Sequence, residues 1–143
     1  MLNKNNTMYP EALVKPMKAE LTAVGFEDLI STDSVEAAIK QQGTVLVVVN
    51  SVCGCAAGAA RPGIKMSLSN TKKPSKLTAV FAGFDTDAVN QARKHFAPYP
   101  PSSPAIALFK NGELVHFVER HNIEGRTAQM ISEHLKMVYD EFC

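Results

Sequence analysis

The stretch Val45-Leu46-Val47-Val48-Val49-Asn50-Ser51-Val52-Cys53-Gly54-Cys55-Ala56-Ala57-Gly58-Ala59-Ala60 decides the fold. Its first residues are β-branched or apolar without interruption and are bounded by Gly43 and Ser51. An alternating run would mark a strand with one wet face; an unbroken one marks a strand buried on both faces of a parallel or mixed sheet. The small residues that follow read as a helix, so Cys53 and Cys55 lie at the carboxyl end of a buried strand. That is where open α/β sheets leave a crevice for ligands and reactive groups. Cysteines that open a helix sit near its unpaired N–H groups and the positive end of its dipole, which favour thiolate over thiol. Pro62 falls inside this helix, and its missing N–H predicts a kink or a break there.

Working outward, Tyr9 to Val24 places Leu13, Val14, Met17, Leu21 and Val24 at three- and four-residue spacing, a helix covering one sheet face. Pro10 suits its first turn, Pro16 is expected to bend or split it, and Gly25 fits its C-terminal cap. Phe26 to Ile30 reads as a short edge strand. Thr32 or Asp33 caps a helix carrying Val35, Ala38 and Ile39, which closes at Gly43. Beyond the cysteines, Leu77 to Ala82 is a second apolar strand, and Asp85 to Phe96 is a helix with Ala88, Val89, Ala92 and Phe96 inward. Pro98-Tyr99-Pro100-Pro101-Ser102-Ser103-Pro104 cannot be regular structure. Ala105 to Lys110, Asn111-Gly112 and Glu113 to Val118 form a hairpin, since Asn-Gly supplies the positive φ values of a type I′ turn. A final helix from about Thr127 sets Ile131, Leu135, Val138 and Phe142 on one face and ends at Cys143.

The chain has 143 residues, of which 45% are hydrophobic and 20% charged, enough for one compact core. Residues 1–7 read as a flexible terminus and 8–143 as a single domain. A net charge of +1 gives no field to draw the protein to nucleic acid or an anionic membrane. No apolar run approaches the ~20 residues that span a bilayer, and the N-terminal residues lack an apolar signal core. A cytoplasmic location is expected. Three cysteines are too few for a disulfide-stapled secreted scaffold, and a close pair in a reducing compartment reads as catalytic or metal-binding. The metal reading is a thiolate carrier for copper or zinc; Cu(I) accepts two soft thiolates, whereas a closed zinc site needs ligands that no neighbouring residue supplies. Cys143 reads as a spare thiol, and His95, His116, His121 and His134 are scattered over different elements.

This order of elements resembles the thioredoxin fold: α/β, with a central mixed sheet of four to five strands and helices on both faces. The paired cysteines after a buried strand, the Pro in the next helix, Ser103-Pro104 directly before a strand, and Phe109-Lys110-Asn111-Gly112-Glu113 carry the resemblance. It implies a cis bond before Pro104, a residue facing the cysteines, and substrate pairing through the backbone of Ser103. From Met8-Tyr9-Pro10 to Cys143 the chain is more closely similar to the bacilliredoxin family, on the strength of Asn50 to Pro62 and Pro98 to Pro104. Two departures from thioredoxin itself are the single residue between the cysteines and the absence of Trp.

The family resemblance implies a thiol-disulfide oxidoreductase that removes bacillithiol from S-bacillithiolated proteins, with weak isomerase or reductase activity in some members. It implies no bound cofactor and no metal, only a low-molecular-weight thiol as co-substrate and S-thiolated proteins as partners. Cys53 is the expected nucleophile and Cys55 the resolving residue, with Gly54, Ser103 and Pro104 contacting substrate. Residues i and i+2 of a helix point to different sides, so a Cys53–Cys55 disulfide is expected to distort its backbone and to be easily reduced. Arg61 and Lys65 on the same helix read as solvated, or as an aid to holding an anionic thiol.

Overall fold

A computed structural model describes residues 8–143, so the expected flexible segment 1–7 lies outside the described residues. The elements run α1 (Glu11–Thr22), β1 (Glu27–Asp28), α2 (Thr32–Ile39), β2 (Thr44–Asn50), a π turn (Ala56–Ala60), α3 (Arg61–Ser67), β3 (Lys76–Phe81), α4 (Thr86–Arg93), β4 (Ala105–Lys110), β5 (Glu113–Val118), a 3-10 turn (Arg120–Asn122) and α5 (Ala128–Phe142). The five strands form one mixed sheet in the order β1-β3-β2-β4-β5. β1, β3 and β2 are parallel, while β4 and β5 are antiparallel to their neighbours.

β2 is central, and every one of its residues is buried. The unbroken apolar run thus serves two cores by alternation, because successive side chains leave opposite faces of a strand. Leu46 and Val48 pack with Leu21 of α1, Ile64 of α3 and Ile131, Leu135 and Tyr139 of α5. Val45, Val47 and Val49 pack with Val35 and Ile39 of α2 and Ala88, Val89 and Ala92 of α4. Helices therefore cover both faces, in the thioredoxin-like arrangement expected.

Several boundaries differ from the sequence-based expectation, each for a local reason. Pro16 does not split α1, which continues through it. Of the apolar stripe expected on that helix, Val14 and Leu21 are buried and Met17 is half-buried, while Leu13 and Val24 are exposed. The cap of α2 is Ser31 rather than Thr32 or Asp33: its hydroxyl accepts the Ser34 N–H at 3.1 Å and Ser34 Oγ accepts the Ser31 N–H at 3.2 Å, a reciprocal capping box. The edge strand between Phe26 and Ile30 contracts to the two residues of β1.

The hairpin tip has φ of 51° at Asn111 and 84° at Gly112, the left-handed pair that the Asn-Gly dipeptide predicts. It is pinned to the turn before β2, where the Gly43 N–H donates to Asn111 Oδ1 at 2.8 Å. The irregularity expected near Pro62 is the π turn. Here the Arg61 N–H reaches back to the Ala56 carbonyl, and Pro62 follows in the first turn of α3, where an absent N–H is tolerated.

Candidate functional site

β2 delivers the chain to the cysteines, and its last residues hold them in place. The Ser51 N–H donates to Asn50 Oδ1 at 2.9 Å, and the Cys53 N–H donates to Ser51 Oγ at 3.2 Å. The Cys53 carbonyl accepts from the N–H groups of Ala56 at 3.0 Å and Ala57 at 3.2 Å, so Cys53 stands at the mouth of the helix that begins with Gly54. Cys53 and Cys55 are each half-buried and are joined as a disulfide, with Cα atoms 5.5 Å apart. That separation is ordinary for a disulfide. Cys55 has right-handed helical angles (φ −70°, ψ −26°), so the expected distortion is absent from its own backbone and the irregular geometry lies in the next turn.

The two sulfurs differ in surroundings. Cys55 packs against the core formed by α1, α3, α5 and one face of the sheet. Gly54 is exposed, and a Cβ placed on it would meet no atom within 4 Å beyond its two chain neighbours, which leaves open space beside it.

Ser103 and Pro104 arrive from the other side of β2. The antiparallel register pairs Val49 with Ala105, which puts the residues just before β4 at the end of the sheet where the cysteine loop leaves β2. The Ser103–Pro104 bond is cis, as is Ala97–Pro98, which no feature of the sequence foretold. Pro104 is buried and Ser103 half-buried. Arg120 braces this loop: its backbone N–H donates to Ser102 Oγ at 3.2 Å and its Nη1 donates to the Ser103 carbonyl at 3.2 Å.

Arg61, read from the sequence either as solvated or as an aid to holding an anionic thiol, is not solvated. It is 2% exposed, donating from Nη1 to the Ser51 carbonyl at 2.7 Å and to Asn50 Oδ1 at 3.0 Å. Its Nε lies 3.1 Å from the Glu20 carboxylate of α1, at ion-pair distance though out of line for a hydrogen bond. Ala56, Ala59, Ala60 and Ile64 are buried while Ala57, Gly58 and Met66 are exposed, so Arg61 lies on the inward side of this segment, where a charge must be paired. Lys65, by contrast, is only half-buried.

Cys143 is exposed as a residue, but its thiol approaches Thr44 and is partly desolvated; that burial pushes it above the usual thiol value, against the opposing pull of the Thr44 hydrogen bond. Thr44 opens β2 whereas Cys53 lies beyond its end, and six residue steps of strand separate the two ends by ~20 Å. Cys143 therefore does not reach Cys53 within one chain. The histidines do lie on different parts of the chain, but His116 of β5 and His134 of α5 meet through their Nε2 atoms at 2.9 Å, and His95 bonds Glu36. The first pair borders a cavity of about 350 Å³ between β5 and α5 that neither Cys53 nor Cys55 lines. Among the described residues no group of three or more His, Cys, Asp or Glu side chains is placed to hold a metal ion. None of the helices described is long and apolar enough to cross a membrane.

Comparison with known proteins agrees with this geometry. The family model described as "Disulphide isomerase" matches residues 9–143. A bacilliredoxin of Cytophaga hutchinsonii is 64% identical over 134 residues, covering 94% of this chain and 99% of that protein. One from Halalkalibacterium halodurans is 48% identical, covering 94% of each. Among solved structures, a putative oxidoreductase with a thioredoxin fold superposes with a TM-score of 0.57 at 20% identity, over 78% of this chain and 96% of the other. A mutant thioredoxin of Halobacterium salinarum gives 0.55 at 15%, over 83% and 91%. At those identities the structural likeness speaks to the fold.

Proposed function

Because the chain belongs to the bacilliredoxin family and is a thiol-disulfide oxidoreductase, we propose that it removes bacillithiol from S-bacillithiolated proteins in the cytoplasm, with reshuffling of protein disulfides as a secondary activity. The observation that carries this reading is the half-buried Cys53, whose carbonyl receives the first N–H groups of a helix and whose sulfur is within bonding reach of Cys55. A thiolate in that position is stabilised by the helix end and remains accessible to a partner disulfide.

The exchange runs in two displacements. The Cys53 thiolate attacks the bacillithiol-side sulfur, the mixed disulfide of the client breaks, and the client leaves as its thiolate. The Cys55 thiolate then attacks the Cys53 sulfur, expels bacillithiol as a thiolate and leaves the Cys53–Cys55 disulfide. Two molecules of an external low-molecular-weight thiol return that disulfide to two thiols, the first forming a mixed disulfide that the second displaces, and leave as their own disulfide; no bound cofactor is needed. Cys55 suits the resolving role because its side chain rests on the core and faces Cys53, while the exposed Gly54 leaves open space beside it. Ser103 and Pro104 are proposed to hold the extended client segment beside the sulfurs.

The test is client-thiol release from a bacillithiolated protein. Cys53→Ser should release none, whereas Cys55→Ser should release one equivalent and stop with bacillithiol attached to Cys53, seen as an added mass on the intact protein. Full activity in Cys53→Ser would overturn the assignment. Stoichiometric copper or zinc on the reduced protein, with no exchange, would support the carrier reading instead.

A further inference from the structure

We propose that Arg61 is a positioning residue for the attacking sulfur: buried beneath the cysteine loop, its guanidinium fixes the Ser51-Val52-Cys53 backbone and supplies a positive field that keeps Cys53 ionised. The inference rests on the reading of Cys53 as the nucleophile and goes beyond it by naming what sets that sulfur's reactivity.

Three observations converge on Arg61. The guanidinium is 2% exposed, so its charge acts through protein rather than through bulk water, where it would be screened. Nη1 reaches both the Ser51 carbonyl at 2.7 Å and Asn50 Oδ1 at 3.0 Å. Both groups belong to the chain that carries Cys53: Asn50 Oδ1 also accepts the Ser51 N–H, and Ser51 Oγ accepts the Cys53 N–H. Asn50 is tied in turn to α1, its Nδ2 donating to the Met17 carbonyl at 3.2 Å. The guanidinium thus closes a hydrogen-bonded circuit from α3 to the end of β2 and to the cysteine itself. A buried charge is costly to leave unpaired, and a surface role would not need this burial.

The balance of charge around this end of the sheet is simple enough to test. Lys18 on α1 is engaged by Asp28 at 2.8 Å and by Asp85 at 2.6 Å. Arg120, beside the Ser103 carbonyl, is engaged by Glu124 at 3.2 Å. Arg61 faces Glu20, a half-exposed carboxylate that offsets part of its field. Removing the guanidinium and removing its counter-ion should therefore move the ionisation of Cys53 in opposite directions, which a merely structural residue would not do.

The experiment follows carbamidomethylation of Cys53 by iodoacetamide against pH, in reduced protein carrying Cys55→Ser and Cys143→Ser so that Cys53 alone reacts. Arg61→Met should raise the pH midpoint by about one unit, a roughly tenfold lower rate well below the midpoint, while the limiting rate at high pH changes little. Arg61→Lys, which keeps the charge, should recover most of the shift, and Glu20→Gln should lower the midpoint. A folded Arg61→Met protein with the parental midpoint, or one slowed equally at every pH, overturns the proposal. If Arg61→Met does not fold, Glu20→Gln decides alone: a lowered midpoint supports the field and an unmoved one refutes it. No client enters the measurement, so loss of this inference is distinguishable from failure of client release in the Cys53→Ser test.

Discussion

Gly54 stands between two cysteines with neither a positive φ nor a neighbour that a Cβ would strike. Nothing in the fold itself requires glycine there. Replacing it by alanine narrows the unfolded chain's freedom without straining the native backbone, so Gly54→Ala should raise stability by about 0.4–1 kcal/mol, read as a shift in the denaturation midpoint. The same methyl group would project into the open space beside Gly54, between the two cysteines in sequence. Exchange with a protein-bound disulfide should slow more than exchange with a small disulfide, and equal slowing of both would show that Gly54 does not border the client. At this scale the sequence was legible for the cysteines and for Asn111-Gly112, whose chemistry is local. It was not legible for Asn50, Arg61 or Arg120, whose roles depend on partners on other elements.

Elements were readable where one physical cause dominated. The valines of β2 could satisfy only a doubly covered strand, and the stripe of Ile131, Leu135 and Val138 could lie only against a core. Pro16 misled, because it is accommodated within α1, whereas the irregularity read near Pro62 is present as a π turn just before it, of a kind that the spacing of apolar residues does not encode. The close approach of α3 to α5 was equally invisible, although it depends on one residue. A Cβ on Gly63 would come within 2.7 Å of Ile131 Cβ and 2.8 Å of the Ala128 carbonyl, which is backbone and cannot yield. Gly63→Ala should therefore destabilise the fold by about 1–3 kcal/mol despite the higher helix propensity of alanine, whose gain is at most ~1 kcal/mol. Urea unfolding would measure it. A neutral or stabilising result would mean that the two helices stand further apart than this packing requires. Since α3 carries Arg61, forcing the helices apart should also disturb the cysteine loop, and the Gly63→Ala protein should exchange disulfides more slowly than its residual folded fraction explains.

Across the whole molecule, the sheet separates the two faces so that chemistry and outer-face packing can be perturbed independently. The cysteine loop is braced from the face that holds α1, α3 and α5, whereas α2 and α4 are clasped on the opposite face by Glu36. That carboxylate accepts from Gln91 Nε2 at 2.6 Å, bonds His95 and pairs with Lys40 at 3.1 Å. The Gln91 hydrogen bond first and the His95 bond second hold its pKa well down, from 4.5 to about 2. A carboxyl group whose folded value is depressed releases its proton more readily in the native state, so its contribution is present above the unfolded value and lost as pH falls. The stabilisation from Glu36 is thus complete above about pH 4.5 and fades toward pH 2. In Glu36→Gln the protein should be less stable at neutral pH, and its denaturation midpoint should fall less steeply than the parent's across that acid window. Because the clasp lies across the sheet from the cysteines, client-thiol release at neutral pH should be retained in the folded variant. Parallel acid limbs for parent and variant would show that the clasp adds no pH-dependent stability, and loss of exchange without loss of folding would show that the two faces are coupled.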